Sequence, residues 1–158
     1  MIYDGRMTIE KQPGDIRGSH RQSANGKRQC IEVSAALIFH DGKLLITQRY
    51  AGSHLGGLWE FPGGKREPGE TFEGCLVREL REELGVESSV GELFEEITYA
   101  YPEKTVRLKF FICRLAQREA QPLGCAALKW VGKLELDEYA FPAADARLLD
   151  KLRAYDFP

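Results

Sequence analysis

Three glutamates in the stretch GGKREPGETFEGCLVRELREELG (residues 63–85) are spaced so that they could bind a divalent cation together. On a helix, at about 100° per residue, Glu82 and Glu83 lie on either side of Glu79 and within about 60° of it. Grouped carboxylates repel one another and the negative end of the helix dipole, and a divalent cation would remove that repulsion. Hard oxygen ligands of this kind suit Mg²⁺, or Mn²⁺ in its place. An ordinary charged helix surface is the alternative, which these residues do not exclude.

The residues before the glutamates predict how the acids are held in place. Two glycines open the stretch, where the backbone must come close to another group, and the turn EPGE returns Glu70 to the start of the helix. Thr71 is suited to cap this helix, and Gly85 is suited to end it in the left-handed conformation. We therefore predict a helix over residues 72–84, preceded by a glycine loop.

Strand patterns flank this helix on both sides. The predicted strands cover about 31–39, 43–49, 58–61, 90–101, 105–115 and 127–131, and a last helix covers about 143–154. The turn HDG joins the first two strands as a hairpin. The order β-β-loop-β-α-β-β-β-α indicates a mixed sheet between helices, an α/β or α+β sandwich. We predict one domain over residues 30–158, preceded by a flexible N-terminal tail, residues 1–29, which is polar and lacks periodicity.

Composition limits the kind of protein and its partners. The 158 residues are 43% hydrophobic and 29% charged, which suits one globular domain. The net charge of -2 and the pI near 6.0 do not indicate a protein that coats a nucleic acid polymer. A small phosphorylated ligand needs only a few local cations or a metal ion. No apolar run of about 18 residues predicts a membrane span, and no apolar signal core is found, so we expect a cytoplasmic location.

The motif as a whole resembles the signature of the Nudix hydrolases, G-x5-E-x7-R-E-U-x-E-E-x-G-U, where U is a bulky apolar residue. Five residues separate Gly64 from Glu70, seven more lead to Arg78, and the rest of the motif follows without a break to Val86. The segments AALIFHDGKLLITQR, LWEFPGGK and FPAAD resemble the MutT-like subgroup, which includes 8-oxo-dGTP diphosphatases and CTP pyrophosphohydrolases. The resemblance covers about residues 31–155 and implies the family's fold, an α/β/α sandwich around a mixed β-sheet.

This resemblance implies an enzyme that hydrolyses a nucleoside triphosphate to a monophosphate and pyrophosphate with Mg²⁺, removing oxidised or modified nucleotides from the pool. The three glutamates would be metal ligands and catalytic groups, and the carbonyl of Gly63 would be a further ligand. Arg78 would orient the acids, and Glu70 would brace the loop against the helix. The implied partner is a small-molecule nucleotide, with no nucleic acid polymer and no membrane, and the chain would be a monomer or a homodimer.

Substrate selection is expected from residues outside the motif. By resemblance these are Arg49, Phe61, Tyr101, Lys104 and Asp145, whereas Lys65 within the motif is a candidate to bind a phosphate, with solvated surface as the alternative. Aromatic rings can stack on a base, which contributes about 1–3 kcal/mol per base. Asp145 stands where 8-oxoguanine-specific members carry Asn. An ionised Asp only accepts hydrogen bonds, which suits the amine of cytosine or the N1 and N2 edge of guanine. Triphosphates of oxidised guanine and of cytosine therefore both stay open, and a helix cap is the alternative role of Asp145.

One position departs from the family pattern. MutT-like members supply another glutamate from the loop before the strand ALKWV, and the corresponding residue here is Gly124, with Glu119 the nearest acid. Glu119, Glu82 and Glu83 therefore remain as candidates for the group that activates the water.

Two other functions remain as alternatives. One is a Nudix hydrolase of another subgroup, acting on ADP-ribose, NADH or dinucleoside polyphosphates, and the other is a non-catalytic nucleotide-binding module, which the complete set of acids disfavours.

Overall fold

The computed structural model describes residues 29–117 and 119–158 of the chain. Within these residues the elements are β1 (Cys30–His40), β2 (Lys43–Gln48), β3 (Trp59–Glu60), β4 (Gly63–Lys65), α1 (Phe72–Leu84), β5 (Ser88–Ala100), β6 (Thr105–Leu115), β7 (Ala127–Gly132) and α2 (Ala146–Ala154). Short 3₁₀ helices cover Lys133–Glu138 and Ala143–Asp145. The tail predicted over residues 1–29 lies outside the described residues except for its last residue. Of the helices described, none is both long enough and apolar enough to cross a membrane.

The strands form a mixed sheet built around β1. One edge of β1 runs parallel to β6, and β6 pairs antiparallel with β5. The other edge of β1 pairs with β4 at Val33–Ala35 and then with β2 at Phe39–His40. From β2 the sheet continues antiparallel to β3 and to β7. The mixed sheet and the α/β class expected from the order of elements are therefore confirmed.

Alternation along β1 divides the core into two layers, one under each helix. Ala35 and Leu37 belong to the layer that packs on α2, whereas Ala36 and Ile38 belong to the layer that packs on α1. Each fully buried leucine contributes about 1.5–3 kcal/mol relative to an exposed one. The leucines buried by the helices are Leu76, Leu80, Leu84, Leu148 and Leu152. This packing gives the sandwich and holds α1 firmly against one face of the sheet.

The predicted and observed elements differ in three places. The helix predicted over residues 72–84 is confirmed, because Thr71 accepts a hydrogen bond from the N–H of Gly74 at 3.0 Å and Gly85 ends the helix with a φ of 67°. The short strand β4 is not expected from sequence, because its two glycines indicate a loop and only pairing with the distant β1 makes it a strand. The 3₁₀ helix at Lys133–Glu138 is also not expected, and the helix predicted over 143–154 begins with a 3₁₀ turn before α2.

Candidate active site

The glutamates of α1 lie at a cleft between this helix and the start of β4. Glu79, Glu82 and Glu83 line the cleft together with Gly63, so the four residues predicted as metal ligands are close to one another. We call this the acidic cleft. Its other lining residues are Arg49, Tyr50, Ser53, Glu60, Gly124 and Cys125.

The acids of the cleft differ in their exposure. Glu83 is only 8% exposed, and its carboxylate accepts a hydrogen bond from the N–H of Gly63 at 3.0 Å. Burial raises the pKa of Glu83 to about 7, and the negative charge of Glu60 acts in the same direction. Glu82 is different, because 62% of its side chain is exposed to solvent. The cleft therefore combines an exposed acid with one that is partly protonated at neutral pH.

The two glycines of the motif allow the backbone of β4 to lie directly against the acids. A Cβ atom at Gly64 would come within 2.2 Å of the Glu79 Cδ atom. At Gly63 a Cβ atom would come within 2.1 Å of the backbone oxygen of Ser34, and the φ of 154° also favours glycine. Gly63 therefore requires glycine because it meets backbone, whereas a side chain at Gly64 would displace the Glu79 carboxylate.

Arg78 and Glu70 form the contact that the motif implies. Arg78 donates to Glu70 at 2.6 Å through Nε and at 3.0 Å through Nη2, and it reaches Glu79 at 2.8 Å through Nη1. These hydrogen bonds, together with one from the N–H of Glu67, lower the pKa of Glu70 to about 2. A chain of ion pairs thus runs from the glycine loop to the first acid of the cleft.

The Glu70→Gln variant is expected to lose stability at neutral pH but not in strong acid. The pKa of Glu70 in the folded protein, about 2, lies below its ordinary value of 4.5, so ionised Glu70 stabilises the fold above about pH 4.5 and loses this effect as the pH falls toward 2. The difference in unfolding free energy between wild type and variant should be constant above about pH 5 and shrink below it. Urea unfolding across this pH range measures the difference, and a value that stays constant down to pH 2 would contradict the assignment.

The donor set of the cleft suits a hard divalent cation, although protein donors hold its carboxylates. Among the described residues, no three His, Cys, Asp or Glu side chains converge closely enough to hold one ion. Glu79 is bound by Arg78 instead, and Glu83 by the N–H of Gly63. The four carboxylates of the cleft are oxygen ligands of the kind that Mg²⁺ takes. Each of these two carboxylates has a second oxygen, so Glu79 and Glu83 can keep the protein donor on one oxygen and offer the other to an ion.

The loop before β7 brings no acid to the cleft. Gly124 lies directly against α1: its N–H donates to the carbonyl of Glu83 at 3.0 Å, and a Cβ atom there would lie 3.1 Å from the Glu83 Cα atom. Glu119 is not among the residues that line the cleft and lies instead beside Gly85 and Leu123, at the C-terminal cap of α1. The position that departs from the family pattern is thus at the cleft, and the nearest acid in the sequence does not replace the missing one.

Glu60 is a further acid of the cleft, which was not predicted from the sequence. Its carboxylate accepts from Arg49 at 2.6 Å, and burial raises its pKa although Arg49 acts in the opposite direction. Glu60 stands between Trp59 and Phe61, which both belong to the layer under α2. The period of two along an extended chain sends Glu60 to the other side. A single acid between two apolar residues of a strand is the signal that could have identified it.

A second cavity adjoins the acidic cleft, and its volume is about 250 Å³. The six residues predicted to bind the substrate all line it: Arg49, Phe61, Lys65, Tyr101, Lys104 and Asp145. Phe61 also packs in the core, where its ring stacks on that of Phe141 at 5.3 Å. We call this the aromatic cavity. Arg49, Glu60 and Gly63 line both the cavity and the cleft, so the two share one wall.

Asp145 lies deep in the aromatic cavity. It is 5% exposed, and burial raises its pKa to about 7, with the charge of Glu60 contributing. Asp145 occupies the N-cap position of α2, but its side chain makes no capping hydrogen bond to this helix. With a pKa of about 7 instead of 3.8, Asp145 has both its protonated and its ionised form within reach near neutral pH, and the ionised form expected from the sequence is one of the two. Protonated Asp145 can donate a hydrogen bond as well as accept one.

Comparison with known proteins relates these features to a family. The sequence model of the NUDIX domain matches residues 34–151. The chain is 41% identical over 124 residues to the CTP pyrophosphohydrolase of Escherichia coli strain K12, an alignment that covers 78% of this chain and 92% of the relative. It is 36% identical over 128 residues to the 8-oxo-dGTP diphosphatase of Haemophilus influenzae, covering 79% and 93%. The fold is similar to the solution structure of the E. coli ORF135 protein, with a TM-score of 0.69 and 40% identity over 82% of this chain and 92% of that one.

Proposed function

The chain belongs to the Nudix family of hydrolases, as its motif indicated, and from this premise we propose that it is a Mg²⁺-dependent pyrophosphohydrolase of (deoxy)nucleoside triphosphates. The products would be a nucleoside monophosphate and pyrophosphate. The observation that carries the proposal is the wall shared by the acidic cleft and the aromatic cavity. A nucleotide can place its base in the cavity and its phosphates in the cleft only if the two adjoin.

Glu79, Glu82, Glu83 and the carbonyl of Gly63 would hold the Mg²⁺, with Mn²⁺ as a substitute. When bound, Mg²⁺ neutralises phosphate oxygens and makes water a better nucleophile. Arg78 keeps Glu79 in place. Because Gly124 supplies no acid, the proton of the attacking water must go to an acid of the cleft. Glu82 and Glu83, the two candidates that line the cleft, would accept this proton.

The substrate that we propose is a nucleoside triphosphate whose base is oxidised guanine or cytosine. The two kinds of relative support this pair, because one is named for CTP and the other for 8-oxo-dGTP at similar identity. Asp145 and the Tyr101 ring offer a polar group and an aromatic face to the base. We expect the protein to act on free nucleotides in the cytoplasm, as a monomer or a homodimer.

A panel of unmodified, oxidised and methylated (d)NTPs tests this function. With Mg²⁺, the purified chain should release pyrophosphate and a monophosphate from at least one member, and chelation of the metal should abolish the release. Hydrolysis of only ADP-ribose, NADH or dinucleoside polyphosphates would identify another Nudix subgroup instead. Tight nucleotide binding without turnover would identify a non-catalytic module.

A further inference from the structure

Arg66 holds the loop between β4 and α1 to the first strand of the sheet. Its N–H donates to the carbonyl of Glu32 at 2.9 Å, and its guanidinium binds the Glu32 carboxylate through Nη2 and, at 2.7 Å, through Nε. The remaining nitrogen, Nη1, donates to the carbonyl oxygen of Glu70 at 2.7 Å. One side chain therefore ties both ends of the loop to each other and to β1.

Glu32 is itself fixed by the neighbouring strands. Arg107 of β6 lies 3.5 Å from the Glu32 carboxylate and donates at 2.6 Å to Glu96 of β5, which Lys109 also approaches at 3.7 Å. The side chains of Glu32 and Arg66 are only 24% and 27% exposed. Networks of partly buried charges with forked arginine contacts are stronger than isolated surface pairs. The loop is thus attached to three strands rather than to one flexible partner.

The same network reaches the first residue of α1. The Phe72 ring lies under three cations: Lys109 Nζ is 4.4 Å from its centroid, and the guanidinium carbons of Arg66 and Arg107 are 5.3 Å and 5.8 Å away. Cations over an aromatic face attract the ring, and the alkyl stems cover it. Arg66 therefore fixes the entry of the chain into α1 as well as the loop before it.

A direct path leads from this loop to the acids. Glu70, whose carbonyl Arg66 holds, binds Arg78 with its carboxylate, and Arg78 binds Glu79. Glu79 has little freedom to adjust to a displaced Arg78, because the backbone of β4 lies against its carboxylate. A loop released from Glu32 would therefore shift Glu70, Arg78 and Glu79 together.

We propose that Arg66, clamped by Glu32, is a positioning residue that sets the metal affinity of the acidic cleft by holding the loop that carries Glu70. The inference rests on the proposed function, because it takes Glu79 to be a metal ligand. Neither Arg66 nor Glu32 lines the cleft, so we expect their effect on the metal to pass through the loop and the start of α1.

The Arg66→Met variant tests the inference, because methionine keeps an apolar stem over Phe72 and removes every hydrogen bond of the guanidinium. With Mn²⁺ as probe, electron paramagnetic resonance of the free ion gives its dissociation constant. We expect this constant to rise about tenfold, since groups behind a metal ligand typically contribute 10–100-fold. The kcat at limiting Mg²⁺ should fall in parallel, whereas KM for the nucleotide at saturating Mg²⁺ should change less than about twofold.

Arg81→Met is the matched control. Arg81 lies on α1 and forms a forked pair with Glu87 at 2.7 Å and 2.8 Å, but neither residue lines the cleft. This variant should bind Mn²⁺ as the wild type does. Arg66→Lys, which keeps a charge but not the fork, should recover part of the loss.

Three outcomes would overturn the inference: a dissociation constant for Arg66→Met within twofold of the wild type, an equal loss in Arg81→Met, or a nucleotide KM that rises as much as the metal constant. If Arg66→Met does not fold, Glu32→Gln replaces it and should weaken Mn²⁺ binding about tenfold as well. A wild type that binds no Mn²⁺ would be a different failure, because it would refute the proposed function and this inference with it.

Discussion

The Glu82→Gln variant is expected to lose at least about 100-fold in kcat while keeping the stability of the wild type. The exchange removes one negative charge from the cleft where Mg²⁺ and the phosphates would meet. Removing a group that stabilises the transition state in such a site typically lowers kcat by this amount. Because the Glu82 side chain is 62% exposed and its contact with Arg78 is long, at 3.4 Å, the fold does not depend on it. Turnover of the best (d)NTP with Mg²⁺ and thermal unfolding measure the two quantities.

Glu73→Gln provides the control for the same chemical change on the same helix. Glu73 is exposed in the first turn of α1, away from the cleft. This variant should keep kcat within about twofold of the wild type. Near-normal turnover of Glu82→Gln would contradict the metal site, and so would an equal loss in Glu73→Gln, because a general effect of helix charge would then explain both.

The Asp145→Asn variant is expected to change base preference by about 10–100-fold without a matching loss of hydrolysis. A well-placed pair of hydrogen bonds to a base edge is worth about 1–3 kcal/mol of discrimination. Below its pKa of about 7, Asp145 can donate and accept, which fits the N3 and N4 positions of cytosine. Above it, the carboxylate only accepts, which fits the N1 and N2 donors of guanine. The ratio of kcat/KM for guanine over cytosine triphosphates should therefore rise with pH through about 7 in the wild type.

Asparagine donates and accepts at every pH, so the ratio in Asp145→Asn should not rise in this range. Other titratable or charged groups line the same cavity and could also make the ratio depend on pH: Arg49, His54, Glu60, Lys65, Tyr101 and Lys104. An unchanged pH dependence in the variant would assign the effect to one of them. An equal loss for all bases would instead make Asp145 a structural residue.

The fold of Asp145→Asn can be checked by its stability. Burial holds the pKa of Asp145 above its ordinary value of 3.8, so ionisation of this group disfavours the folded state as the pH rises from about 4 to 7. The neutral amide does not have this cost. The variant should therefore unfold at a higher temperature than the wild type at pH 8, and the advantage should shrink below about pH 4.

Local physical rules explain why much of the site could be predicted. The bounds of α1 follow from a cap at Thr71 and a left-handed residue at Gly85, both within one turn of the helix ends. The grouping of Glu79, Glu82 and Glu83 follows from the period of the helix. The mixed sheet follows from the order of elements, because two short hairpins and one long crossover can be arranged in few ways.

Contacts between distant residues decided the rest. Glu60 reaches the cleft because β3 pairs with β2, and β4 exists because β1 lies beside it. The clamp of Arg66 on Glu32 joins residues 34 positions apart. Burial of Glu83 and Asp145 moves both pKa values to about 7, which their residue types did not indicate.

The sequence by itself determined the helix, its row of acids, the glycines beside them and the family. Helix periodicity and capping act over a few residues, so they can be deduced from one segment. Only the tertiary structure decided which carboxyl groups lose their water, which acid joins the cleft from the sheet, and which arginine holds the loop. Desolvation and ion-pair geometry depend on every element packed around a group, and no local pattern contains that information.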